Sequence, residues 1–177
     1  MTCSALFLDR DGVININHGH VHKIENFDFI EGVFELVKKA NNLAMPVIII
    51  TNQGGIGRGL YSEDIFHTLM NKVIDIFQEH EAVIDDVYFC PNHPEYGVGY
   101  YKRPSHYRKP APGMILQAAK DHGLDLLSSV LVGDKITDMD AGKSAGVGKL
   151  FLFSKTEKYP DAHIISSLAE VALGINI

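Results

Sequence analysis

The chain has 177 residues, 46% hydrophobic and 21% charged, the make-up of a soluble globular protein; one domain over 1–177 with a substantial core is expected. A formal net charge of −6 argues against nucleic acid as the main partner, because phosphate backbones call for a basic face. No apolar stretch approaches a membrane span, Met1-Thr2-Cys3-Ser4 lacks the basic start of a secretory signal, and Cys3 and Cys90 are too few for a disulfide framework. A cytoplasmic protein without membrane contacts is expected.

The first element is an apolar run, Ala5 to Leu8, that reads as a buried strand and ends in Asp9-Arg10-Asp11-Gly12. Acids spaced i, i+2 leave a strand on the same side, and carboxylates that close repel unless a cation or a proton is shared. The pair reads either as a Mg²⁺-assisted nucleophile with its acid–base partner or as two solvated turn acids. A polar, His-rich stretch, Asn15 to Asp28, follows. Next comes a helix with Val33, Leu36, Val37 and Ala40 on one face. A second strand over 46–50 leads into Thr51-Asn52-Gln53-Gly54-Gly55, and a helix capped by Ser62 turns Phe66, Leu69, Met70, Val73 and Phe77 inward. A third strand over 86–90 gives way to an irregular stretch, 91–112, which contains Arg108-Lys109-Pro110. A helix over 113–122, a fourth strand over 129–132, a helix over 137–145, a fifth strand over 149–153 and a short helix near 167–173 complete the pattern.

This alternation predicts an α/β fold, layered helices around a central, mostly parallel five-stranded sheet. Three of the strands finish in polar groups: the acid pair, Thr51-Asn52, and Gly133-Asp134-Lys135 with Asp138 beyond. Ligands in open parallel sheets sit outside the carboxyl ends of the strands. Three such ends together are harder to explain by turn chemistry than any one of them.

These residues resemble the haloacid-dehalogenase-like (HAD) phosphohydrolase superfamily, whose motifs match, in order, Asp9-Arg10-Asp11-Gly12, Thr51-Asn52, Lys109, and Gly133-Asp134 with Asp138. Within it, the strings from His18 to Val33, Cys90-Pro91 with His93-Pro94, and Arg108-Lys109-Pro110 resemble the D-glycero-D-manno-heptose-1,7-bisphosphate 7-phosphatases and their relatives, the histidinol-phosphate phosphatases. The resemblance implies a Rossmann-like three-layer fold without a large cap domain. It also implies Mg²⁺-dependent hydrolysis of a small-molecule sugar phosphate through an aspartyl-phosphate. Asp9 is then the nucleophile, Asp11 the acid and base, and Thr51 and the Asn52 backbone hold phosphoryl oxygens. Lys109 neutralises charge, Asp9, the Asp11 carbonyl and Asp134 hold Mg²⁺, and Asp138 orients Lys109 or a metal-bound water.

Substrate contacts are expected from Gln53, Lys135, and the asparagines Asn15 and Asn17, the last two toward sugar hydroxyls. Arg58 and Arg108 are the guanidinium candidates for a second phosphate. The resemblance places the alternating histidines His18, His20 and His22 in a flap over the site. Members of this group often carry zinc in the loop after the third strand, but here the ligand positions fall on Cys90, Asn92, Ser105 and Tyr107. One thiol cannot close such a site; a site rebuilt with the nearby His93 and His106 is the disfavoured alternative, and structural zinc is not expected. The product would be heptose 1-phosphate for surface-polysaccharide synthesis, and a monomer is expected because no long exposed apolar stripe is left over. Histidinol phosphate is the rival substrate, and a non-catalytic phospho-acceptor module is the rival class. The latter is disfavoured by an Asp-x-Asp on the first strand.

Overall fold

The computed structural model describes residues 3–175. Its strands are β1 (Leu6–Leu8), β2 (Val47–Asn52), β3 (Asp86–Cys90), β4 (Val130–Gly133), β5 (Lys149–Phe153) and β6 (His163–Ile165). All pair in parallel, in the order β3-β2-β1-β4-β5-β6. β1, β2 and β4 are apolar almost throughout because helices cover both faces of the sheet.

Side chains alternate between those faces. Leu6, Leu8, Val47, Ile49, Val130 and Val132 pack into one core with α1 (Val33–Asn42), α3 (Glu63–Glu79) and α6 (Leu168–Gly174). Phe7, Ile48, Ile50 and Leu131 form the other core with α4 (Gly113–His122) and α5 (Ile136–Ala145). The inward faces expected of α1 and α3 are the buried ones, Val33, Leu36, Val37 and Ala40 on the first and Phe66, Leu69, Met70, Val73 and Phe77 on the second. Full burial of a side chain of this size contributes about 1.5–3 kcal/mol.

The sheet has six strands where the sequence predicts five. β6 is an edge strand of three residues, with His163 and Ile164 exposed and Ile165 alone turned into the core, too short to show alternation. β2 also runs two residues further than expected, through Thr51 and Asn52, and a single helical turn, α2 (Gly54–Gly57), follows it. Residues 91–112 are irregular apart from one 3₁₀ turn at Gly99–Tyr101. Among the described residues, no helix is long and apolar enough to cross a membrane.

The chain winds outward from β1 through β2 to β3, then returns to lay β4 on the opposite side of β1. Leu8 therefore lies in register with Ile49 on one side and Val132 on the other. The Asp9 amide extends the ladder by donating to Val132 O at 3.0 Å. Asp9 thus emerges where the strand order reverses, flanked by the ends of β2 and β4, which is the crevice where doubly wound sheets bind ligands.

α3 is the longest helix and roofs one core, and Ser62 starts it by accepting a hydrogen bond from Ile65 N at 3.2 Å, with Glu63 and Asp64 in its first turn. Ser62→Ala is expected to lower stability by about 1 kcal/mol, a fall in Tm of roughly 2–4 °C. In urea unfolding, the midpoint should drop while the m-value stays unchanged.

Candidate active site

Asp9, the first residue past β1, is 5% exposed, and Lys109 reaches it from the end of the irregular segment. The Lys109 ammonium lies 2.7 Å from Asp9 Oδ1 and 2.7 Å from Asp138 Oδ1, and donates to Ile50 O at 2.9 Å. All three of its donors are thereby used. Its backbone is fixed as firmly. Lys109 N donates to Asn52 Oδ1 and Asn52 Nδ2 donates to Lys109 O, both at 3.0 Å, so the end of β2 grips the segment that delivers the lysine.

Asp138 caps α5, its Oδ2 accepting from Lys135 N at 3.0 Å. The approach is close enough to require glycine at 133, where a Cβ would lie 2.3 Å from that of Asp138. Asp138 is therefore fixed where it pairs with Lys109, one of the two partners expected for it.

Burial opposes charge on Lys109, yet the Asp138 and Asp9 carboxylates outweigh it and hold the ammonium well above the usual lysine range. Asp9 is pushed up by burial, which Lys109 only partly offsets. The two ends of this ion pair differ because Asp9 shares its lysine with Asp138. Asp134 is pushed up to about 7, by burial first and the Asp9 charge second.

Carboxylate oxygens of Asp9, Asp134 and Asp138 lie within 4.8 Å of one another. Asp134 Oδ1 is buried without a partner, and the nearest cation to the Asp134 carboxylate is Lys135 at 3.9 Å. One ammonium cannot balance three carboxylates. The surplus charge and the orphaned oxygen at Asp134 suit a hard, oxygen-seeking divalent cation. Gly12, at φ +105°, leaves room for this carboxylate; a Cβ there would fall 2.2 Å from Asp134 Oδ2.

Asp11 is held from several directions. Its Oδ1 accepts from Arg10 Nη2 and from Asn15 Nδ2, the latter at 3.2 Å, and its Oδ2 accepts from Gln53 Nε2 at 3.2 Å. The Arg10 guanidinium is fully buried and also donates to Val21 O at 2.9 Å. Nothing in the sequence singled it out, because an arginine between two acids in a turn reads as solvated.

Asn15 departs from expectation. It is fully buried, with its amide on Asp11 Oδ1 and Ile16 O, so it braces the acid instead of facing a sugar. Gln53 is similarly committed. It donates to Thr51 Oγ1 at 2.8 Å as well as to Asp11, and it accepts from the Tyr61 hydroxyl at 2.6 Å. Burial pushes the Tyr61 phenol up to about 12.

These groups floor a cavity of about 390 Å³. Asp9, Asp11, Thr51, Asn52, Lys109 and Asp138 lie along it with Lys135, while Asn17, Gly19 and His20 lean over from the flap. Arg58, His93 and Arg108 also line it. Arg58 stacks on the Tyr96 ring at 4.5 Å, and Arg108 Nη1 donates to Asn92 O at 3.0 Å. Of the residues expected at the site, only Asn15 and Asp134 do not line this cavity. Asp134 instead lines an adjoining recess with Gly12.

The flap's other histidines are engaged locally. His18 pairs with Asp28 at 2.7 Å, and His22 bonds His20 O at 2.8 Å while stacking on Tyr61 at 4.8 Å. His93, from the loop after β3, accepts at Nδ1 from the amides of Glu95 and Tyr96. That loop is tied together by main-chain bonds, His93 N to Tyr101 O at 3.1 Å and Val98 N to Gly57 O at 2.8 Å. Cys90 is fully buried beneath it.

A family model for HAD-hydrolase-like proteins matches residues 106–171. The chain is 55% identical over 148 residues to the D-glycero-alpha-D-manno-heptose-1,7-bisphosphate 7-phosphatase of Burkholderia mallei, covering 84% of this chain and 78% of that protein. It is 45% identical over 152 residues to the D-glycero-beta-D-manno-heptose-1,7-bisphosphate 7-phosphatase of Vibrio cholerae serotype O1, covering 86% and 82%. Among solved structures, the D,D-heptose 1,7-bisphosphate phosphatase from B. bronchiseptica, complexed with magnesium and phosphate, superposes with a TM-score of 0.84 at 24% identity, over 98% of each chain. The acid pair just past β1, the lysine between two carboxylates and these relatives converge. The chain is a phosphatase of the HAD-like hydrolases and belongs to the family of the D-glycero-D-manno-heptose-1,7-bisphosphate 7-phosphatases.

Proposed function

We propose that this chain removes the 7-phosphate of D-glycero-D-manno-heptose 1,7-bisphosphate in the cytoplasm, leaving heptose 1-phosphate. The observation that carries this is a buried carboxylate, Asp9, at the floor of a cavity that also holds a second, firmly oriented carboxylate two residues on. An Asp9 oxygen attacks phosphorus, the bond from phosphorus to the sugar oxygen breaks, and Asp11 gives that oxygen its proton. Asp11, now a carboxylate, takes a proton from water as the water attacks the phosphoryl group, which frees Asp9 and releases phosphate. Thr51 and the Asn52 backbone hold the phosphoryl oxygens, and Lys109 offsets charge on them.

Asp9, Asp134 and the Asp11 carbonyl would hold Mg²⁺. Once bound, the ion reduces repulsion between the anionic nucleophile and the anionic substrate. Arg58 and Arg108, which line the cavity, supply cationic groups for the phosphate that is not cleaved, and Lys135 and Asn17, also in its lining, meet sugar oxygens. The same arginines disfavour the ammonium and imidazole end of histidinol phosphate. Relatives named for each anomer match at 55% and 45% identity, so both anomers belong in the test.

Phosphate release should be rapid with one or both heptose bisphosphates, slow with histidinol phosphate and lost in Asp9→Asn. Faster turnover of histidinol phosphate would discard the substrate, and an active Asp9→Asn would discard the mechanism.

Asp134 also sets a pH dependence. Its folded value of about 7 exceeds its ordinary 3.8, so the metal-free folded state keeps a proton that the unfolded chain releases. Its contribution to stability is greatest below the lower value and is lost as pH rises through the higher one. Because Mg²⁺ needs the ionised carboxylate, the rise in Tm on adding Mg²⁺ should be larger at about pH 8 than at about pH 5.5. Thermal melts with and without the ion read this directly.

A further inference from the structure

Tyr61 takes no part in the steps above, yet it lines the cavity and is only 5% exposed. Its place is prepared. A Cβ at position 55 would come within 2.4 Å of the Tyr61 Cε1 and 2.8 Å of its hydroxyl, so only glycine lets the ring in. The His22 ring stacks on it at 4.8 Å, with the planes 10° apart. The hydroxyl donates to Gln53 Oε1 at 2.6 Å, and the other end of the same amide reaches Asp11 Oδ2 and Thr51 Oγ1.

We propose that Tyr61 is a positioning residue for the acid–base step, acting through Gln53 to aim Asp11 at the leaving oxygen. This rests on Asp11 being the group that protonates that oxygen. A primary amide has two orientations with nearly the same shape and opposite hydrogen-bonding character. In one, Gln53 turns its NH₂ to the acid, with one hydrogen for Asp11 Oδ2 and the other for Thr51 Oγ1; in the other, it sets a carbonyl oxygen against a carboxylate. By donating to Oε1, the Tyr61 hydroxyl holds the amide in the first.

Asp11 Oδ1 is already anchored by Arg10 and Asn15, while Gln53 Nε2 is the one donor to Oδ2 among the described residues. The angle of the carboxylate therefore depends on that amide.

Tyr61→Phe keeps the ring and removes only the hydroxyl, leaving Gln53 Oε1 buried without a donor. The test compares kcat/KM for an alkyl ester, heptose bisphosphate, with that for p-nitrophenyl phosphate, whose nitrophenolate departs without needing a proton. Asp11-mediated catalysis is worth a factor on the order of 10²–10⁴, and loss of aim should forfeit about tenfold of it on the sugar ester. The aryl ester should change by less than about twofold, because it does not use this part of the catalysis. In a Gln53→Leu background, Tyr61→Phe should have no further effect on the sugar ester, since the two act in series.

An equal loss on both esters would overturn the proposal and assign Tyr61 a purely structural role. Unchanged kinetics, or an additional loss in the Gln53→Leu background, would overturn it as well. If the wild type prefers another alkyl phosphate, the comparison is read on that ester, so a wrong substrate does not decide the matter. A wild type that turns over no alkyl phosphate would overturn both the acid–base assignment and this inference.

Discussion

The Lys109 ammonium is the contact on which the rest of the site depends. It is bonded to Asp9, to Asp138 and to the carbonyl of Ile50, with its side chain 3% exposed. A cation so buried is tolerated only because each of its hydrogens meets an acceptor. Removing one member of such a group typically costs about 3–5 kcal/mol, since the charges left behind have no solvent. Those three bonds join the ends of β1 and β2, the start of α5 and the segment before α4. The geometry of Asp9 is therefore a property of the whole sheet.

That clamp leaves the charge unbalanced in a useful direction. Lys109 answers for Asp9 and Asp138, while Asp134 keeps a buried oxygen with no partner and a carboxyl raised to about 7. The remaining demand for positive charge therefore lies at Asp134, beside Asp9. Asp11 is governed separately, by Arg10, Asn15 and Gln53. Asp9 and Asp11 thus sit two residues apart in different electrostatic settings. One is paired with a buried ammonium and the other is braced by an arginine and two amides. Environment, more than residue type, sets the two carboxyls apart, as their proposed roles require.

Much of this was legible in the chain because the central strands carry a strong signal. Four apolar residues before Asp9, four before Thr51 and three before Gly133 mark β1, β2 and β4, and each polar ending lands at the mouth of the crevice. Periodicity gave the buried faces of α1 and α3 for the same reason. What escaped was decided by tertiary contact. β6 has one inward residue and borrows its order from β5. Arg10 and Asn15 look like turn residues, and only the flap folding back over them makes them buried partners of Asp11. Tyr61 resembles any aromatic ahead of a helix until Gly55 and Gln53 are seen around it. In the loop after β3, the absent cysteines were visible, but the main-chain bonds that tie the loop together were not.

The central claim is that Asp9 carries the phosphoryl group between the two half-reactions, and trapping that adduct tests it most directly. Enzyme turning over a heptose bisphosphate labelled in the scissile phosphate would be quenched in acid, reduced with borohydride and cleaved for peptide sequencing. The account predicts covalent label in the quenched protein and homoserine in place of aspartate at position 9. Turnover without any covalent label, or label carried by another side chain, would contradict it.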